Sequence, residues 1–200
     1  MFYVTQLKTN HIFCSNTYMI HSGDECTVVD PNTPYTSTYG RVKYVLLTHA
    51  HFDHMLDIDS WVDRGGATVI VSRYDKDALS DPKKNCSLGL MRRSVTYSGD
   101  VLEVDDGDAL TLGDETIEIM ATPGPTPGCL VYKIGDTAFV GDLVFAGGAY
   151  GRCDLYGGDE DALHQSIATL LLSDPQTMLL PGHGEATTIR EYKNCYRKFS

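Results

Sequence analysis

Three of the seven histidines of this 200-residue chain fall within six residues, in Thr48-His49-Ala50-His51-Phe52-Asp53-His54, directly after the mostly apolar run 42–48 (VKYVLLT). A run of that length and composition reads as a strand buried on both faces, which places the imidazoles at a strand end. A lone histidine is more often a satisfied core or loop residue, but histidines clustered with an acid at fixed spacing point to a metal. Two residues apart on extended backbone, His49 and His51 project to the same side. They can therefore reach one cation at about 2.0–2.1 Å. Asp53 and His54 follow where the chain turns into a helix, so they face a second position beside the first. Imidazole with carboxylate suits zinc, and iron or manganese where carboxylate is rich.

The cluster needs partners from elsewhere in the chain. Asp142 ends the apolar run 139–142 (FVGD), where a carboxylate would bridge two cations, and His183 sits in 180–184 (LPGHG), a Pro/Gly loop after another apolar run. Each alone reads as an ordinary loop residue. Together they supply the ligands that the cluster lacks.

Around these residues the pattern alternates strands with a few helices. Strands are expected at 16–20 (NTYMI), 26–30 (CTVVD, stopped by Pro31), 42–48 and 67–71, with a short helix over 55–64 closed by Gly65-Gly66. Residues 73–99 read as a helix plus a polar surface loop whose Lys83, Lys84, Arg92 and Arg93 are a solvated face. The less favoured reading makes them a basic lip over a pocket. Strands return at 101–104, 109–112, 116–122, 129–134 and 137–142, then a helix over 163–172, a strand at 178–180 and a last helix over 188–199. Such interleaving in both halves indicates two sheets with helices packed outside.

Composition narrows the partners. Against 16 Lys+Arg stand 27 Asp+Glu, a formal charge of −11, which repels nucleic-acid backbones and anionic membrane surfaces and leaves a small molecule as the expected substrate. No apolar stretch approaches the roughly 20 residues that span a bilayer. The first residues show no export signal, so the cytoplasm is the expected location. Cys14, Cys26, Cys86, Cys129, Cys153 and Cys195 form no CxxC pair and are expected as free thiols. No repeat or linker divides the chain, so residues 1–200 are treated as one domain; nothing sets an oligomeric state.

Taken in order, the segments NTYMI, TVVDP, LLTHAHFDH, LTLGDETIEIMATPG, TPGCLVY, FVGD, GRCDLYGGD, LLPGHG and TTIREYKN make the chain resemble the metallo-β-lactamase superfamily, and within it the small glyoxalase II-like hydrolases. The resemblance implies an α/β fold, a four-layer αβ/βα sandwich of two mixed β-sheets with helices on the outer faces. It also implies a binuclear zinc centre at one edge. By the same resemblance His49 and His51 belong to the first metal, Asp53, His54 and His183 to the second, and Asp142 bridges both. One departure stands out. Where the family reads TPGHTPG, this chain reads Thr122-Pro123-Gly124-Pro125-Thr126-Pro127-Gly128, so the third imidazole of the first site is replaced by Pro125. A four-ligand zinc site is worth roughly 10–16 kcal/mol, or about 3 kcal/mol per ligand, so the first site is expected to be about a hundredfold weaker. His49, His51 and Asp142 remain as a two-histidine, one-carboxylate set that suits iron or zinc with water in the gap. His11, Cys129 and His164 are candidates to fill it.

The implied chemistry is metal-assisted hydrolysis of a thioester or ester. Metal coordination lowers the pKa of water to about 7, so a hydroxide nucleophile is available without a protein base. Asp53 would orient that nucleophile and accept its proton. The chain has neither GxSxG nor GxxxxGK[ST]. Two alternatives share the fold: an iron-dependent oxidoreductase of the persulfide dioxygenase kind, from which Pro125 removes a ligand, and a non-catalytic binding protein. Full-length glyoxalase II carries a C-terminal helical domain for glutathione, and this chain ends too early for one, so a glutathione thioester is less secure than the fold.

Overall fold

A computed structural model describes residues 1–9, 12 and 15–196. The first sheet runs in chain order: β1 (Phe2–Leu7), β2 (Thr17–Ser22), β3 (Glu25–Val29), β4 (Val42–Leu46), β5 (Thr68–Ser72) and β6 (Val101–Val104). β1 to β3 pair antiparallel, and β3 to β6 pair parallel. Parallel neighbours need crossovers, which explains the helices α1 (Ile58–Asp63), α2 (Lys76–Ser80) and α3 (Ser87–Met91) between them. The second sheet comprises β7 (Ala109–Leu112), β8 (Glu115–Ala121), β9 (Leu130–Ile134), β10 (Thr137–Gly141), β13 (Met178–Pro181) and β14 (Thr187–Thr188), in the order β14-β13-β10-β9-β8-β7. Between β10 and its parallel partner β13 run a two-stranded hairpin, β11 (Val144–Phe145) with β12 (Ala149–Tyr150), and α4 (Glu160–Leu170); α5 (Ile189–Tyr196) follows β14.

Alternation along the strands builds the layers. In β2 and β4, Tyr18, Ile20 and Leu46 enter the core shared by the two sheets, with Ile117, Tyr132 and Phe139 opposite. Their neighbours Met19, Val45 and Leu47 point the other way, onto Trp61, Ile58 and Tyr35. On the far side, Val131, Ala138 and Val140 meet Leu163, Ile167, Leu170 and Tyr192 of α4 and α5. The result is the expected four-layer sandwich of two mixed sheets between helical layers.

Some boundaries differ from the sequence reading. β1 is an additional strand: its Phe2 and Val4 lean on the inter-sheet core while its other face is exposed, so its signal is weak. α4 begins at Glu160, three residues before Leu163, because the Asp159 side chain caps it by accepting from the Ala162 N–H. The segment 73–99 holds two short helices rather than one. Cys26, Cys86, Cys129, Cys153 and Cys195 are free thiols, as expected, and Cys14 lies outside the described residues. Among the described residues no helix is long and apolar enough to cross a membrane.

Candidate metal centre

The carboxyl ends of β4, β10 and β13 open at one edge of the sandwich, and each delivers ligand-bearing residues there. His49 and His51 follow β4, with extended backbone at His51, and a single 3-10 turn, Phe52–His54, swings Asp53 and His54 back toward them. Asp142 directly follows β10, and His183 lies two residues beyond β13. The side chains converge into two groups of possible metal ligands, His49–His51–Asp142 and Asp53–His54–His183, with ligand atoms within 4.8 Å of one another in each group. Asp142 lies between the groups: its Oδ2 is 4.0 Å from His49 Nε2, and its Oδ1 is 3.4 Å from His54 Nε2 and 3.7 Å from His183 Nε2. All six residues singled out from the sequence therefore meet.

Two glycines make this convergence possible. A Cβ on Gly141 (φ +49°) would lie 2.4 Å from Thr48 Oγ1, and one on Gly182 would lie 2.4 Å from Asp142 Oδ1 and 2.6 Å from His54 Cε1. The Gly182 backbone thus forms a cradle against Asp142 and His54 that leaves no room for a Cβ. Asn16 Nδ2 donates to the carbonyls of Pro181 and Gly184, and Tyr18 Oη to Pro181, fastening the His183 loop.

Asp30 is a site residue that sequence reasoning passed over. Buried at the end of β3 with φ +50°, it receives the Thr48 N–H on Oδ1 (2.8 Å) and the Thr48 hydroxyl on Oδ2 (2.7 Å), and meets His54 Nδ1 at 2.8 Å. That last contact commits Nδ1 and aims Nε2 at the centre. Thr48 Oγ1 lies 3.2 Å from His49 Nδ1 and orients that ring likewise. The signal was available, since Asp30 ends an apolar run as Asp142 does. Asn is expected to keep the geometry of Asp30 but lose its charge, so Asp30→Asn should weaken metal binding by about 10–100-fold, read by competition against a chromophoric chelator. Unchanged affinity would show that the Asp30–His54 contact does not tune the site.

Electrostatics match a cation's needs. Burial first, then His54 and His51, hold the His49 imidazolium well below its usual pKa, and burial also lowers that of His51, so both rings keep a lone pair. Burial would raise the Asp142 carboxyl, but His54, His49 and His183 hold it far below the carboxylate range. Burial likewise opposes ionisation of Asp53, yet His54 and His183 bring it down to about 2. For His54, burial is outweighed by Asp30 and Asp142, which raise its pKa well above normal. A cation at His54 Nε2 must displace that proton. His54 Nε2, His51 Nε2 and Asp142 Oδ1 are buried without a hydrogen-bond partner, a cost that a shared cation would relieve for His54 and Asp142. The donor set, the orphaned atoms and the glycine cradle all fit divalent metal.

Two of the three candidates to replace the missing imidazole, Cys129 and His164, are engaged elsewhere. Cys129 Sγ sits 3.3 Å from the Thr126 N–H and 3.2 Å from its hydroxyl, and burial holds its thiol well above the normal pKa. His164, on α4, pairs Nδ1 with Tyr196 Oη at 2.8 Å. Neither joins the ligand groups. His11 lies outside the described residues. Pro125 is buried beside the centre: a Cβ on Gly151 would touch both its ring and the Asp142 carbonyl.

Above the ligands lies a cavity of about 460 Å³ whose floor includes His51, Asp53, Asp142 and His183. Lys83, Lys84, Arg92 and Arg93 do not line it, in keeping with the solvated reading; Arg152 does.

A two-sheet sandwich carrying histidines and carboxylates at one strand edge defines a class of metal-dependent hydrolases. The chain belongs to the metallo-beta-lactamase superfamily, whose family model matches residues 14–183. It is 36% identical over 186 residues to the probable metallo-hydrolase YqgX of Bacillus subtilis, covering 88% of this chain and 87% of that one. To the hydroxyacylglutathione hydrolase of Acidiphilium cryptum it is 32% identical over 145 residues, 72% of this chain but 51% of that longer protein. Among solved structures, the BLEG-1 B3 metallo-beta-lactamase superposes with a TM-score of 0.88 at 30% identity, covering 96% of this chain and 97% of that one.

Proposed function

We propose that this protein hydrolyses an acyl thioester or ester with divalent metal, zinc in the first instance, held by His49, His51, Asp53, His54, Asp142 and His183. The observation that carries the reading is the convergence of two three-residue ligand groups, with buried unpartnered donor atoms, beneath a substrate-sized cavity. The likeness to a hydroxyacylglutathione hydrolase supports the thioester class; the superfamily supports hydrolysis. A small molecule is the partner that the cavity suits.

When bound, the metals acidify water to a pKa of about 7 and polarise the acyl carbonyl. The chain's own groups do the rest. Asp53, ionised even in its buried position and 3.2 Å from His183 Nε2, orients the attacking water and takes its proton. The water oxygen bonds to the acyl carbon, the carbon–sulfur or carbon–oxygen bond breaks, Asp53 passes the proton it took to the departing thiolate or alkoxide, and the second proton of the water is released to solvent, leaving a carboxylate. Phe52 and Phe145 line the cavity beside these ligands and give the reacting acyl group an apolar wall. The single-iron oxidoreductase reading lacks a donor atom at position 125.

Treatment with EDTA is expected to abolish turnover of a panel of thioesters, esters and lactones, and added zinc, iron(II) or manganese to restore it. Hydrolysis that survives complete metal removal, verified by elemental mass spectrometry, would overturn the mechanism.

A further inference from the structure

The walls of the cavity say more about the substrate than its floor does. Apart from the ligand residues and Gly151, the lining is Phe52, Cys86, Leu90, Phe145, Tyr150, Leu155 and one cation, Arg152. That cation is compensated: its Nε and Nη2 donate to the two carboxylate oxygens of Asp154, both at 2.7 Å. Beyond Arg152 a neighbouring hollow adds Asp154 and Glu160, so the rim carries more negative than positive charge. The whole chain is at −11. An anionic arm of a substrate therefore meets no uncompensated protein cation along the described walls.

An apolar arm meets the opposite situation. Leu90 lines the cavity yet is 45% exposed, and its neighbour Leu88 on α3 is 42% exposed. This five-residue helix is bracketed by Cys86 and Arg92, both non-glycine residues at positive φ (+67° and +55°). Such strained ends persist where the surroundings fix the segment. A half-exposed leucine held in a cavity wall, as Leu90 is, marks a surface that gains from an apolar ligand.

We infer that this hydrolase site takes uncharged thioesters or esters with a short aliphatic acyl arm, laid against Leu90, Phe145, Tyr150 and Leu155, and discriminates against anionic leaving groups. The inference rests on the hydrolytic reading above and narrows it, since a glutathione or coenzyme A thioester becomes a poor substrate.

The test uses zinc-loaded protein and acetyl, butanoyl and hexanoyl thioesters of two thiols, neutral N-acetylcysteamine and anionic glutathione. The corresponding non-hydrolysable S-alkyl thioethers are titrated by calorimetry. With the neutral thiol, kcat/KM should rise about fourfold per methylene from acetyl to butanoyl. At equal acyl length, the neutral thioester should exceed the glutathione one by about tenfold. Thioether affinities should follow the same order. Leu90→Ser should flatten the chain-length dependence. Asp154→Asn, which frees the Arg152 charge, should improve the glutathione thioester about fivefold and leave the neutral one unchanged. Equal or better turnover of glutathione thioesters, or a flat chain-length series, overturns this inference and leaves the hydrolase reading standing. Thioethers binding in the expected order while no thioester is cleaved does the reverse: the pocket assignment holds and hydrolysis falls.

Discussion

Asp142→Ala is expected to cost this protein more activity than the loss of any other single side chain. The other ligand residues lie in one group each, whereas Asp142 lies within 4.0 Å of His49 in the first group and of His54 and His183 in the second, and is expected to serve both. At about 3 kcal/mol per ligand, each position should lose about a hundredfold in affinity. Turnover that requires both positions filled should then fall on the order of ten-thousandfold at limiting metal. Added zinc should recover part of it. The backbone should tolerate the change, because the adjoining strand is held by the Gly182 N–H on the Gly141 carbonyl (2.7 Å). Metal-free stability has its own sign. The Asp142 carboxyl is held below its unfolded value, so its stabilising contribution is present at neutral pH and is lost only as pH falls through the folded-state pKa. The variant should therefore melt lower than the parent at pH 7 without metal, with the gap closing in acid. Full metal content together with turnover within tenfold of the parent would remove Asp142 from the centre.

How far the sequence reveals this protein follows from which signals are local. The strands that build the inter-sheet core read clearly, because burial on both faces forces runs such as those of β4 and β10. The ligand residues read clearly because three of them share one short segment. What stays hidden depends on contacts between distant segments. Asp75 is a buried carboxylate that ties three points of the site edge: its Oδ2 accepts from the Ala50 N–H (2.9 Å) and the Thr126 hydroxyl (2.7 Å), and its Oδ1 from the Gly128 N–H (3.0 Å). In sequence it is one aspartate among several in a polar stretch. The cavity walls are hidden for a related reason. Leu90, Phe145, Tyr150 and Leu155 come from short or irregular segments with no periodicity to place them, and Arg152 cannot be told from a solvated charge until its position is known.

Pro125→His should act in the opposite direction to Asp142→Ala and build a metal site up. The loop that carries position 125 is fixed independently of the residue there. Asp75 holds it at Thr126 and Gly128, the Thr122 N–H donates to the Cys129 carbonyl (2.8 Å), and the Gly124 N–H donates to Thr126 (3.1 Å). The proline ring lies next to Gly151, which abuts the Asp142 carbonyl, so an imidazole at this position starts from beside the first group. A third nitrogen for His49–His51–Asp142 should raise first-site affinity by about a hundredfold. Metal content after dialysis against a weak chelator should rise from about one toward about two per chain. The metal-free variant should be less stable, because it gains a buried N–H needing a partner, about 1–3 kcal/mol, and loses the proline's restriction of the unfolded chain, about 0.4–1 kcal/mol. Zinc should therefore raise the melting temperature of the variant more than that of the parent, since stabilisation by a bound ion grows with its affinity. Pro125→Ala separates the two effects: it shares the backbone change and should gain no metal. If Pro125→His binds no more zinc than Pro125→Ala, the first group is either already complete or never takes a cation, and the asymmetry argued for this centre is wrong.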